Sequence, residues 1–204
     1  MAVDPPRPVR RIFPMIGIGA AGLLLVVAAA IMIFGAPAPV QNAAAIGGPF
    51  TLQNGDGQPV TDQTFRGKVM LVYFGYTFCP DVCPTTLNDV AEAIDKLGPK
   101  AASVQPLFIT VDPARDTVPV VKQYAAAFSP RLIGLTGTAD QIAAVAHAYR
   151  VYYKVHVNGP APGDYTMDHS SILYVMGPDG HFIGIIRADE GADAIATDLE
   201  KFLT

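Results

Sequence analysis

The hydrophobic pattern begins with one uninterrupted run. "IFPMIGIGAAGLLLVVAAAIMIF", residues 12–34, holds no charged residue over 23 positions. At ~1.5 Å per helical residue, that length crosses a hydrocarbon core of about 30 Å. "GAPAPVQNAAAIGG", residues 35–48, follows without charge or period and reads as a linker. From residue 49 the pattern breaks into short units. Phe50 and Leu52 alternate ahead of "NGDG" and Val60 follows it, which predicts a hairpin. "KVMLVYFGY", residues 68–76, and "VQPLFITVD", residues 104–112, are continuous β-rich runs suited to strands covered on both faces. Between them Leu87, Val90, Ala91, Ile94 and Leu97 recur at helical spacing, with Pro84 placed for the first turn and Gly98 past the end. "TVPVVKQYAAAF", "TADQIAAVAHAYR" and "GADAIATDLEKFL" predict three more helices. "RLIGLTG" predicts a short strand, and "SSILYVMGPDGHFIGII" predicts two strands around a "GPDG" turn.

The order β-α-β-α-β, then a hairpin and a helix, predicts an α/β domain with a thioredoxin-like mixed sheet flanked by helices. The expected organisation is an N-terminal arm over 1–11, a transmembrane helix over 12–34, a linker over 35–48 and the thioredoxin-like domain over 49–204. Arg7, Arg10 and Arg11 precede the apolar run. The positive-inside rule therefore puts the N-terminus in the cytoplasm, as a single-pass anchor in a bacterial inner membrane, with the domain in the periplasm. The equivalent placement in an organelle is a mitochondrial inner membrane with the domain on the intermembrane-space side. A cleaved signal peptide is the alternative, since "APA" at residues 36–38 resembles a cleavage site. The run is longer than the ~7–15 apolar residues of such signals. Net charge is −4 for the whole chain. Setting aside Asp4 and the three N-terminal arginines leaves the remainder at −6. That acidity argues against nucleic acid or an anionic membrane surface as the domain's partner.

The chain's two cysteines, Cys79 and Cys83, lie in "YFGYTFCPDVCPTTL", where a strand is predicted to meet a helix. Residues i and i+4 of a helical turn share a face, with Cβ atoms about 5–6 Å apart. A modest adjustment also permits a disulfide, whose Cα atoms stand ~4.4–6.8 Å apart. The pair can thus hold a metal when reduced and close on itself when oxidised. A helix N-terminus favours the thiolate that either chemistry requires. A purely structural disulfide is the plainer reading, but closing so short a segment restricts the unfolded chain little.

A metal would need a third ligand, and the chain has four histidines. His147, inside a predicted helix, is expected to be a partly buried packing residue, and His181, after the "GPDG" turn, to be solvated. His156 lies in the tyrosine-rich strand "YYKVHV". His169 ends the Gly/Pro loop "GPAPGDYTMDHSS", from which a ligand can swing in and out. Spacing alone leaves both His156 and His169 open. Two thiolates and one imidazole favour Cu(I), whereas structural zinc would want a fourth ligand; Cu(II) fits with an added oxygen. Asp168 and Asp81 flank the candidate ligands, either to orient one of them from behind or as solvated turn acids.

"GYTFCPDVCPTTL", "FITVDPARDT", "FSPRLIGLTGT", "YYKV" and "DYTMDHSSILYVMGPDG" together resemble the Sco/SenC family of copper proteins, from about residue 48 to 203. The resemblance implies a thioredoxin-like fold. It implies Cys79, Cys83 and His169 as ligands of Cu(I) or Cu(II), Asp168 behind them, and "DPARDT" as a loop near the site, with Arg115 as an internal ion-pair partner. It further implies delivery of copper, taken from a periplasmic donor, to the copper A site of cytochrome c oxidase subunit II, or maintenance of that site's thiols. Many members carry His immediately before the first cysteine, where this chain has Phe78.

Two functions follow as expectations. One is a membrane-anchored copper metallochaperone rather than an enzyme. The other is a thiol-disulfide oxidoreductase with Cys79 and Cys83 as its redox-active pair, although the usual redox motif spaces its cysteines one residue closer. A peroxide-reducing thiol enzyme is a weaker third.

Overall fold

The computed structural model describes residues 46–203. The predicted arm, the apolar run and all but the end of the linker lie outside the described residues. Among those described, no helix is long and apolar enough to cross a membrane.

The elements run β1 (Thr51–Asn54), β2 (Pro59–Thr61), β3 (Val69–Gly75), α1 (Val82–Lys96), β4 (Val104–Thr110), α2 (Val118–Phe128) and β5 (Ile133–Thr136). They continue α3 (Ala139–Ala148), β6 (Tyr153–Val157), β7 (Tyr165–His169), β8 (Ile172–Met176), β9 (Phe182–Arg187) and α4 (Ala192–Lys201). Seven strands form one sheet in the order β2-β1-β5-β4-β3-β8-β9. β4 runs parallel to both β3 and β5, whereas β8 pairs antiparallel with β3. This is the expected mixed α/β arrangement of thioredoxin-like type.

β3 is the spine. All seven of its residues are buried, as its unbroken apolar sequence predicts. Each fully buried Leu, Val or Phe there contributes about 1.5–3 kcal/mol. α1 lays Cys83, Thr86, Leu87, Val90, Ala93 and Ile94 into the core, the i, i+3, i+4, i+7 stripe of an amphipathic helix. Gly98, at φ 56, takes the left-handed turn beyond its end. α1 also packs on α4, with Lys96 pairing with Asp193, and Lys100, in the turn beyond α1, reaches Glu200 at 3.1 Å. α3 starts on a capping box, in which Thr138 Oγ1 accepts from the Gln141 N–H at 3.2 Å and the Gln141 side chain accepts from the Thr138 N–H at 2.8 Å.

One element departs from the sequence reading. The Gly/Pro segment before His169 is only partly loop. Residues Tyr165–His169 are a strand, β7, paired antiparallel with β6 in a separate two-stranded sheet. Tyr165, Met167 and His169 turn inward while Thr166 and Asp168 are exposed. His169 therefore stands at the end of a hydrogen-bonded hairpin, opposite Tyr153, rather than on a free loop.

Candidate metal centre

The cysteines sit where β3 gives way to α1. Cys83 belongs to the buried stripe of that helix, so the packing that holds Leu87 and Val90 also presses its sulfur onto β3. The strand makes room with Gly75: a Cβ there would stand 2.8 Å from Cys83 Sγ. Cys79 precedes the helix and is half-buried. Its Sγ accepts the backbone N–H of Cys83 at 3.4 Å. Asp81, the N-cap residue, makes no side-chain cap bond, so the sulfur occupies the place of a capping oxygen.

His169 arrives from the hairpin. Its Nε2 is 3.1 Å from Cys83 Sγ, and its ring meets Tyr73 and Tyr76 edge-on, with centroids 6.0 and 5.9 Å away. Tyr76 fixes the strand as well, its phenol oxygen accepting the N–H of Met167 at 3.3 Å. Tyr73 O–H donates to Cys83 Sγ at 3.9 Å. The two sulfurs and a ring nitrogen of His169 all lie within 4.8 Å of one another. Among the described residues these three are the one such cluster of potential ligands. No disulfide joins the cysteines.

The two thiols are driven apart. Cys79 is pulled down to about 3, first by the hydrogen bond from the Cys83 thiol, then by His169 and the backbone N–H groups of Asp81 and Cys83. Cys83 is pushed up by its bond to the Cys79 sulfur and by burial. The coupling thus favours the thiolate at the half-exposed Cys79 and the thiol at the buried Cys83.

The remaining sequence candidates fall into place around this core. Asp168 is exposed and pairs through Oδ2 with His156 Nε2 at 2.7 Å, on the outer face of the hairpin. That pairing turns His156 away from the sulfurs. Asp81 is exposed and adds its backbone N–H to the Cys79 sulfur. Arg115 ion-pairs with Asp112 at 2.5 Å. His181 is exposed as expected, whereas His147 is exposed too, because α3 buries Ile142, Val145 and Ala146 on its other side. Sequence reasoning missed Asp116. It is fully buried and accepts from Thr77 Oγ1 at 2.5 Å, Thr77 N–H at 3.0 Å and Thr110 Oγ1 at 2.6 Å. It thereby ties the loop ahead of Cys79 to β4.

The SCO1/SenC family model matches residues 38–204. Protein SCO1 homolog 1, mitochondrial, of Arabidopsis thaliana is 43% identical over 80% of this chain and 48% of its own. The chain spans about half the length of the curated relatives it matches first. The solved structure of Bradyrhizobium japonicum ScoI with copper bound superposes with a TM-score of 0.70 at 44% identity, over 78% of this chain and 99% of that one. BsSco, described as a member of the Sco family of cytochrome c oxidase assembly proteins in which a disulfide switch was identified, gives 0.61 at 26% identity over 80% and 97%.

Proposed function

The chain belongs to the SCO1/SenC family, and from that premise we infer that it is a copper metallochaperone in the assembly of cytochrome c oxidase. Cys79, Cys83 and His169 hold Cu(I) or Cu(II) as cargo, taken from a periplasmic donor and passed to the copper A site of oxidase subunit II. The observation that carries this reading is the convergence of two sulfurs and one imidazole within 4.8 Å. Soft thiolates with one nitrogen suit a copper ion of low coordination number. The half-exposed Cys79 thiolate meets the ion first, and the buried Cys83 follows by releasing its proton. Asp168 steadies the hairpin from outside through His156. An anchor over residues 12–34 would keep the domain at the membrane surface where the oxidase is built. Titration of the reduced full-length chain with Cu(I) against a competing chelator tests the reading. One tightly held copper per chain is expected, weakened at least about tenfold, or ~1.4 kcal/mol, in His169→Ala. Equal retention by that variant refutes it.

A second reading has its own observation, the unequal thiols. Cys79 thiolate attacks a target disulfide, forming a mixed disulfide and releasing one target thiolate. Cys83 then displaces the second, and two electrons have left the protein as its own disulfide forms. His169→Ala should leave this exchange nearly unchanged while copper binding falls.

A further inference from the structure

The β6–β7 hairpin forms no ladder with the main sheet, yet it delivers His169. Side chains hold it down, and several of those contacts converge on one residue. Arg115 Nη1 donates to the carbonyls of Gly163 at 3.1 Å and Tyr165 at 2.9 Å, at the hairpin tip. Its guanidinium lies 3.6 Å from the Tyr165 ring centroid. It also stands 4.7 Å from the ring of Phe78, the residue immediately before Cys79, and 5.7 Å from that of Tyr76. Asp112 closes the circuit: its Oδ2 accepts from Arg115 Nε at 2.5 Å and its Oδ1 from Tyr165 O–H at 2.7 Å. One cation thus touches the hairpin and the segment carrying Cys79 together. Phe78 offers that cation an aromatic face.

We propose that Arg115 is a positioning residue for the third ligand: by clasping the hairpin tip to the Cys79 segment, it sets whether His169 stands within reach of the two sulfurs. This deepens the metallochaperone reading and rests on it. A guanidinium can stack flat on Tyr165 while its fork serves Asp112 and two carbonyls, which a lysine ammonium cannot do at once.

The test uses the full-length chain with Arg115→Gln and Arg115→Lys, each checked for cooperative thermal unfolding. Hydrogen exchange at the hairpin amides of Lys154, His156 and Thr166, which pair across the ladder, is read without metal. Nitrogen hyperfine coupling and the sulfur-to-copper charge-transfer band are read with Cu(II). In both variants hairpin exchange accelerates, copper retention falls about tenfold or more and nitrogen coupling weakens, while the sulfur band persists. If Arg115→Gln does not fold, Arg115→Lys decides, because it keeps the charge facing Asp112. Unaltered exchange and nitrogen coupling in a folded variant overturn the proposal. Failure of the unsubstituted chain to take up copper instead counts against the metallochaperone reading, and the exchange data then judge the clasp alone.

Discussion

Adding a single methyl group at Gly75 tests the packing that presents Cys83. The new Cβ would stand 2.8 Å from Cys83 Sγ, 3.2 Å from the Phe108 ring and 3.3 Å from the Tyr73 ring. Optimal separation of non-bonded heavy atoms is about 3.5–4.0 Å, so all three contacts are too close at once. Phe108 and Tyr73 are themselves fully buried and have nowhere to retreat. The sulfur has to give way, moving roughly 1 Å and breaking its 3.1 Å contact with His169. Overpacking of this kind costs about 1–3 kcal/mol. For a domain of this size each kcal/mol lowers Tm by about 2–4 °C, so Gly75→Ala should melt about 2–12 °C early. Copper retention should fall with it. Gly48→Ala is the control, since its Cβ would meet only Ala148 Cβ at 3.6 Å, an ordinary contact; a change within about 0.5 kcal/mol is expected. Thermal unfolding by circular dichroism and a chelator competition read both effects. Wild-type Tm and affinity in Gly75→Ala would refute the claim that strand packing sets the sulfur's position.

Further consequences follow from the unequal thiols and from Asp116. With Cys79 held near 3, alkylation of the reduced protein should run at a nearly constant rate from pH 5 to 8, whereas an ordinary thiol of pKa about 8.5 gains about tenfold per pH unit there; a steep rise would contradict the thiolate assignment. Because Cys83 retains its proton, uptake of one Cu(I) at pH 7 should release about one proton rather than two, measurable by calorimetry in buffers of different ionisation enthalpy. Burial raises the carboxyl of Asp116 despite its three donors. Its contribution to stability is thus fullest below the unfolded carboxylate value of about 3.9 and is lost as pH rises through its higher folded value. Relative to wild type, Asp116→Asn should gain stability between pH 4 and pH 7 in denaturant unfolding; a constant difference would sink this account.

Strong local pattern made much of the fold legible. β3 and β4 are apolar without a break, α1 has its stripe, Pro84 and Gly98, and "NGDG" and "GPDG" mark their turns. β7 was obscured because the Gly159–Gly163 region carries glycines and prolines that read as loop, and because five residues give alternation little length. The signal was present even so, with Tyr165, Met167 and His169 in phase. The cysteine pair could be named from spacing, since four residues suffice to bring two sulfurs to one helix end. The imidazole could not, because its approach depends on a pairing 86 residues away from Cys83. His156 and His169 differ by face and not by composition, and only the register with Asp168 on the outside separates them. Arg115 read as an ion-pair partner, which it is, but its carbonyl partners lie 48 and 50 residues along the chain.

The central claim is that two sulfurs and the imidazole of His169 jointly hold one copper. X-ray absorption at the copper edge of the reduced, Cu(I)-loaded full-length chain measures that set directly. The expected spectrum shows two sulfur scatterers and one nitrogen with imidazole multiple scattering, and the nitrogen disappears in His169→Ala. A spectrum of sulfur alone, or one unchanged by that substitution, would contradict it.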